Sequence, residues 1–234
     1  LPISTLQLDD LSTHPSICVI AKRGSGKNWI IRDLINKLNT DSMEMTDDFM
    51  KNTLIVSPTE RMNKFYGHAF PQAKISFEYN RNEIAEYLNK IRNMHEEDLR
   101  NFSGCIILDD CLASKGTWMN DPELMDLFFN SRHYHITFIL TMQFPLGLKP
   151  ELRCNFDYVF LLAEDFQTNQ KRLYDHYAGM FPTLNLFQQV FKQLTEDYGC
   201  MVIKNRGSSH QLTDKIFYFK AKNYKHKQMG FKLV

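Results

Sequence analysis

Apolar residues along this chain come in short unbroken runs, and the runs alternate with stretches of helical period. "SICVIA" (16–21), "NTLIVSP" (52–58), "CIILDD" (105–110), "HITFILT" (135–141) and "DYVFLL" (157–162) concentrate β-branched, leucine and aromatic residues without alternation. Such runs predict strands buried on both faces. "AKISFEY" (73–79) alternates and predicts a shorter strand, ahead of two more at "CMVIK" and "KIFYFK". Between the runs, Ile84, Leu88 and Ile91 recur at i, i+4, i+7 and predict a helix within 81–95. "DPELMDLFFNS" predicts another, with Asp121 as N-cap and Pro122 at the first helical position. Further helices are expected over 27–38, 167–178 and 183–195, and the polar "NTDSMEMTDD" (39–48) is expected to be a loop. Strands alternating with helices define an α/β fold with a central, mostly parallel sheet flanked by helices. No repeat, low-complexity tract or linker interrupts it, so a single domain over 1–234 is expected.

Composition narrows the class. Apolar residues make up 43% and charged residues 24%, ordinary for a globular protein. No apolar stretch approaches the ~18 residues of a membrane span, and "LPISTLQLDD" lacks the basic and apolar regions of a secretory signal. The five cysteines are odd in number and form no CxxC pair, which predicts free thiols in a reducing compartment. The net charge of +1 hides an asymmetry: residues 201–234 carry eight Lys/Arg and one Asp, on an otherwise acidic body. A basic tail of this kind suits an anionic partner, and equally suits an edge strand guarded by lysines.

The first buried run ends in the turn Lys22-Arg23-Gly24-Ser25-Gly26-Lys27-Asn28-Trp29 and feeds a helix. The phosphate loop G-x-x-x-x-G-K-[ST] has this strand–turn–helix context. Glycines at 24 and 26 let consecutive N–H groups turn inward, and the helix start adds free N–H groups and the positive end of its dipole. Lys27 would neutralise the terminal phosphates. Two positions depart from the pattern: Ala21 replaces the first glycine, and Asn28 replaces the hydroxyl that ligates Mg2+. An amide oxygen ligates a hard cation but is neutral and bulkier. "CIILDD" supplies the complement. Asp109 at a strand end suits the metal's water shell, and Asp110 beside it suits orientation of the attacking water. Gln143, at the end of "ITFILTMQ", would face the γ-phosphate if its strand lies between the loop strand and the Asp109 strand.

The segments "VIAKRGSGKNW", "IILDDC", "FFNSRHYHITFILTMQF" and "LRCNFDYVFLL" resemble the FtsK–HerA branch of the P-loop, RecA/ASCE-like, NTPases. Within it the chain is most similar to the genome-packaging ATPases of nucleocytoplasmic large DNA viruses, the poxvirus and giant-virus type. The resemblance implies an ATP-driven, Mg2+-dependent translocase of double-stranded DNA that works as a homo-oligomeric ring, pentameric or hexameric. It also implies capsid or portal-vertex partners, a location in the host cytoplasm (the virus factory) or the virion, and an arginine offered in trans, with Arg132 and Arg153 as candidates. "TLIVSPTER" resembles the family's second-strand motif, so Glu60 or Arg61 is expected to sense nucleotide. Lysines 220, 222, 225 and 227, and the loop near Lys115, are the expected DNA contacts. A helicase or recombination ATPase, and a nucleotide-binding scaffold with hydrolysis impaired by Asn28, stay open as alternatives.

Overall fold

The computed structural model describes residues 2–43, 48–112, 118, 120–144 and 148–222. In chain order the elements are β1 (Ser4–Thr5), β2 (Ser16–Ile20), α1 (Lys27–Met43), β3 (Thr53–Val56), α2 (Glu60–Asn63) and α3 (Phe65–Ala69). Then come β4 (Lys74–Ser76), α4 (Arg81–Arg92), α5 (Glu96–Arg100), β5 (Gly104–Asp109), α6 (Pro122–Asn130) and β6 (Ile136–Met142). The chain continues through α7 (Pro150–Arg153), β7 (Tyr158–Leu161), α8 (Gln167–Tyr177), α9 (Leu184–Leu194), β8 (Gly199–Lys204) and β9 (Ile216–Lys220).

Among the described residues all nine strands form one sheet in the order β1-β9-β8-β7-β2-β6-β5-β3-β4. Every neighbouring pair is parallel except β8, which runs antiparallel to both β7 and β9. The unbroken apolar runs become β2, β3, β5, β6 and β7, nearly every residue of which is buried. Alternation within each run sends side chains to two cores. Ile17 and Val19 of β2 meet Leu34 and Ile35 of α1 on one face. Cys18 and Ile20 join the opposite core, which α4, α6, α8 and α9 cover with residues such as Leu88, Leu127, Leu173 and Phe187. Each such buried aliphatic or aromatic side chain contributes about 1.5–3 kcal/mol relative to exposure.

The Asp121 cap of α6 forms as expected, its Oδ1 accepting the Glu123 N–H at 3.0 Å. The loop expected from residue 39 does not start there, because α1 runs on to Met43. The Lys37–Asp41 ion pair at 2.5 Å and the Thr40 hydroxyl, which donates to the Asn36 carbonyl at 2.9 Å, carry the polar extension. Pairs at i, i+4 stabilise a solvated helical turn that has no apolar stripe to announce it. The expected free thiols are observed: Cys18, Cys105 and Cys200 are buried, Cys111 is half-buried and Cys154 exposed, none in a disulfide.

Candidate functional site

The topology gathers one end of the sheet around the glycine turn. Because β6 lies between β2 and β5, the carboxyl ends of the loop strand, of "ITFILTM" and of the acidic strand stand side by side. Gly24 and Gly26 take φ values of +79° and +99°, the left-handed turns that wrap the loop. Ser25 fastens it from inside, its hydroxyl donating to the Lys22 carbonyl at 2.7 Å. α1 begins at Lys27, so its first N–H groups lack intrahelical partners and open toward the space above the loop.

Lys27 reaches from the helix start into the acidic strand. Its Nζ lies 2.7 Å from Asp109 Oδ1, bonds to Asp110 Oδ2, and is 3.3 Å from the Thr141 hydroxyl. Burial works against the ammonium, yet the two carboxylates outweigh it and raise the Lys27 pKa. Asp109 is 2% exposed. Its carboxylate also accepts hydrogen bonds from Ser57 Oγ at 2.9 Å and Thr141 Oγ1 at 2.7 Å. Asp110 sits in a left-handed conformation, φ +50°, with its N–H bonded to the Thr141 hydroxyl at 3.2 Å. Strain of this kind at a non-glycine residue is characteristic of sites where function dictates geometry. Gln143 donates from Nε2 to Asp110 Oδ2 at 3.3 Å, so it joins the same group. The Tyr66 hydroxyl is buried beside Asp109. Burial first, and then the Asp109 and Asp110 carboxylates, hold its phenol in the neutral form.

The structure therefore brings Lys27, Asp109, Asp110 and Gln143 together beneath the 24–28 backbone. It places the other expected residues less centrally. Lys22 turns its ammonium away to pair with Asp165 after β7. Arg23 is exposed on the turn, Asn28 is the half-buried second residue of α1, and Trp29 lies outside with the Arg32 guanidinium 4.1 Å above its ring. Arg132 is at the far, amino end of the strands, where it bonds to Asp157 at 2.5 Å. Arg153 packs 5.8 Å from the Tyr177 ring on the α8 side. Neither arginine is in the site of its own chain.

Of Glu60 and Arg61, the two alternatives expected for sensing nucleotide, Glu60 is engaged within its own turn. Glu60 is 4% exposed, and its carboxylate accepts the N–H groups of Tyr66 at 3.0 Å and Gly67 at 2.7 Å, closing the start of α3. Arg61 instead covers the Phe77 ring at 5.2 Å in a cleft of about 450 Å3 that also includes Tyr79, Cys111 and Trp118. Of the expected DNA contacts, Lys220 pairs with Asp197 at 2.5 Å and Lys222 is exposed. Lys115, Lys225 and Lys227 lie outside the described residues. Ser57, Tyr66 and Thr141 also lie against Asp109, and spacing alone does not mark them. The polar Thr141 inside an otherwise apolar run was the one available signal.

The donor set fits a nucleotide triphosphate and its divalent cation. Three or more His, Cys, Asp or Glu side chains poised to hold a metal by themselves are absent among the described residues. Mg2+ does not require them, since it takes one or two protein oxygens and completes its shell with phosphate and water. Asp109 at the end of β5 and Asn28 in the first turn of α1 are the residues that would hold it.

The same fold occurs in solved nucleotide-binding proteins. The genome packaging NTPase B204 of Sulfolobus turreted icosahedral virus 2, solved with AMPPCP, matches with a TM-score of 0.60 and 13% identity over 91% of this chain and 100% of that one. The pCW3 conjugation coupling protein TcpA, solved with ATPγS, matches with a TM-score of 0.56 and 15% identity over 91% of this chain and 61% of that one. Among relatives by sequence, uncharacterized protein L437 of Acanthamoeba polyphaga mimivirus is 41% identical over 226 residues, 93% of this chain and 76% of the relative. Uncharacterized protein 088R of Invertebrate iridescent virus 3 is 31% identical over 94% of this chain and 85% of the relative. The chain belongs to the family of large-DNA-virus proteins that includes L437 and 088R. No family model matches the chain.

Proposed function

We propose that this chain is an ATPase that moves double-stranded DNA and packages a viral genome into its capsid. The observation that carries the reading is the convergence of Lys27, Asp109, Asp110 and Gln143 under a glycine turn at the start of α1. B204, which shares this fold, is a genome packaging NTPase, and this supports the step from nucleotide site to packaging motor.

The chemistry follows from what holds Lys27. The incoming triphosphate offers more negative charge than two carboxylates, so Lys27 swings onto the terminal phosphates and leaves Asp110 free. Asp110 then accepts a proton from the water that attacks the γ-phosphorus, and ADP leaves. Asp109 and Asn28 would hold Mg2+, which would supply positive charge to the phosphate oxygens. Gln143, bonded to Asp110, reports loss of the γ-phosphate along β6. The Thr141 hydroxyl and Ser57 keep Asp109 oriented throughout.

In the proposed homo-oligomeric ring, pentameric or hexameric, an arginine from the neighbouring copy completes the site. Arg153 takes this role, since Arg132 is already bonded to Asp157. The basic segment 201–234 meets the DNA backbone without reading sequence. Capsid or portal-vertex proteins receive the ring in the virus factory or virion. Among the described residues no helix is long and apolar enough to cross a membrane.

The test is ATP turnover with and without duplex DNA, together with displacement of a third strand from a triplex as the motor passes. Stimulation by duplex, weakening as salt rises, with triplex displacement and no separation of the duplex strands, is the expected result. Strand separation identifies a helicase instead. Nucleotide binding without turnover identifies the scaffold that Asn28 suggests.

A further inference from the structure

The turn from α9 into β8 is held in an unfavourable shape. Asp197 and Tyr198 are consecutive non-glycine residues with left-handed backbone, φ 48° and 61°. The next residue leaves no slack, because a Cβ on Gly199 would lie 2.4 Å from the Leu194 carbonyl oxygen and 2.6 Å from the Tyr218 ring. Lys220 of β9 pins the turn from the other side through its ion pair with Asp197. The product of this constraint is a large aromatic ring that is 66% exposed. Burial does not explain it, since a ring left mostly in water gains little from the hydrophobic effect. The ring lies against the phosphate loop: a Cβ on Gly26 would be 3.4 Å from Tyr198 Cδ1.

The side of the loop on which it stands is informative. Asp109, Asp110 and Gln143 lie at or just past the carboxyl ends of β5 and β6, to one side of β2. Tyr198 leads into β8, on the other side, beyond β7. A triphosphate whose terminal phosphate meets Lys27 and Gln143 avoids the carboxylates with the rest of its length. Its sugar and base then extend across the loop toward β7 and β8. On that side a cleft of about 620 Å3 opens between the Ala163–Gln170 stretch and α9 and reaches Thr195 and Glu196, two and three residues before Tyr198.

We infer that Tyr198 is the platform on which the base of the bound nucleotide stacks, and that its strained turn fixes the ring in advance of binding. The inference rests on the nucleotide-site reading above. Stacking uses the π-face that every base has, so the platform contributes affinity for the nucleoside part and none for the phosphates.

The two parts are separated by titrating the full chain calorimetrically with MgATP and, in parallel, with magnesium tripolyphosphate. Tyr198→Ala is expected to weaken ATP binding by about five- to a hundredfold, the range of one aromatic–base stack, and to leave tripolyphosphate affinity unchanged. Tyr198→Phe, which keeps the ring, is expected to bind both as the wild type does. Wild-type affinity for ATP in Tyr198→Ala overturns the platform. So does an equal loss of both ligands, which makes the ring a support of the loop. Failure of the unmodified chain to bind either ligand overturns the nucleotide site itself, and the platform with it.

Discussion

Lys27 Nζ and Asp109 Oδ1 stand 2.7 Å apart across the mouth of the sheet, joining the first residue of α1 to the last residue of β5. With Asp110 bonded to the same ammonium, the site carries its own stand-in for phosphate. Nucleotide has to displace this contact, so removing one carboxylate affects binding and chemistry in opposite directions. Asp110→Asn is expected to bind ATP at least as tightly as the wild type while single-turnover hydrolysis falls about 10²–10⁴-fold, the range for loss of a positioned base. Equilibrium binding and rapid-quench hydrolysis on the same preparation measure the two effects.

Thr141 is the hinge of the acidic pair. Its hydroxyl donates to Asp109 at 2.7 Å and accepts the Asp110 N–H at 3.2 Å, and the residue is 1% exposed. Thr141→Val keeps the shape but removes the acceptor of the Asp110 N–H and one of the donors to the buried Asp109 carboxylate. Urea denaturation is expected to show a loss of about 1–3 kcal/mol. Ser57, on the other Asp109 oxygen at 2.9 Å, is expected to behave similarly as Ser57→Ala.

Asn28 stands where a short hydroxyl brings oxygen closer to the cation. Asn28→Ser is expected to raise Mg2+-dependent turnover severalfold and to lower the Mg2+ concentration for half-maximal rate. Rates titrated against Mg2+ at saturating ATP check this. An unchanged Mg2+ profile would mean that position 28 does not touch the metal shell.

At the opposite end of the sheet, the His14 and His135 rings stack 5.0 Å apart with planes 2° from parallel. Burial, and then His135, lower the His14 pKa from 6.5 to about 4. Between pH 6.5 and 4 protons therefore bind the unfolded chain's His14 in preference, so its contribution to stability is full above that window, falls as pH drops through it, and levels off near 4. His14→Asn, which tolerates the left-handed φ of 47°, is expected to flatten this part of the profile. Denaturation midpoints collected across the window test it.

Much of this architecture is legible in the sequence because burial writes itself into hydrophobic period. The runs at 16–21, 105–110 and 135–141 can only be strands covered on both faces, and they carry Lys27, Asp109 and Gln143 at or just beyond their ends. The helices α2, α3, α5 and α7 are invisible for the opposite reason, since four or five residues make little more than one turn and cannot repeat a period. Strand direction is likewise silent: "CMVIK" reads the same whether β8 runs parallel or, as it does, antiparallel. Side chains that act through tertiary placement leave no local trace. Tyr66 looks like a core aromatic, and only the fold sets its hydroxyl beside Asp109. Tyr198 becomes notable only once β8 brings it to Gly26.

The most direct test of the central claim is equilibrium titration of the full chain, and of Lys27→Ala, with ATPγS in the presence of Mg2+. The account predicts saturable uptake of one nucleotide per chain by the wild type and loss of affinity by about 10²-fold or more in the variant, the scale of a preorganised charge removed from an anion site. Equal affinity in the two proteins, or no uptake by either, would contradict it.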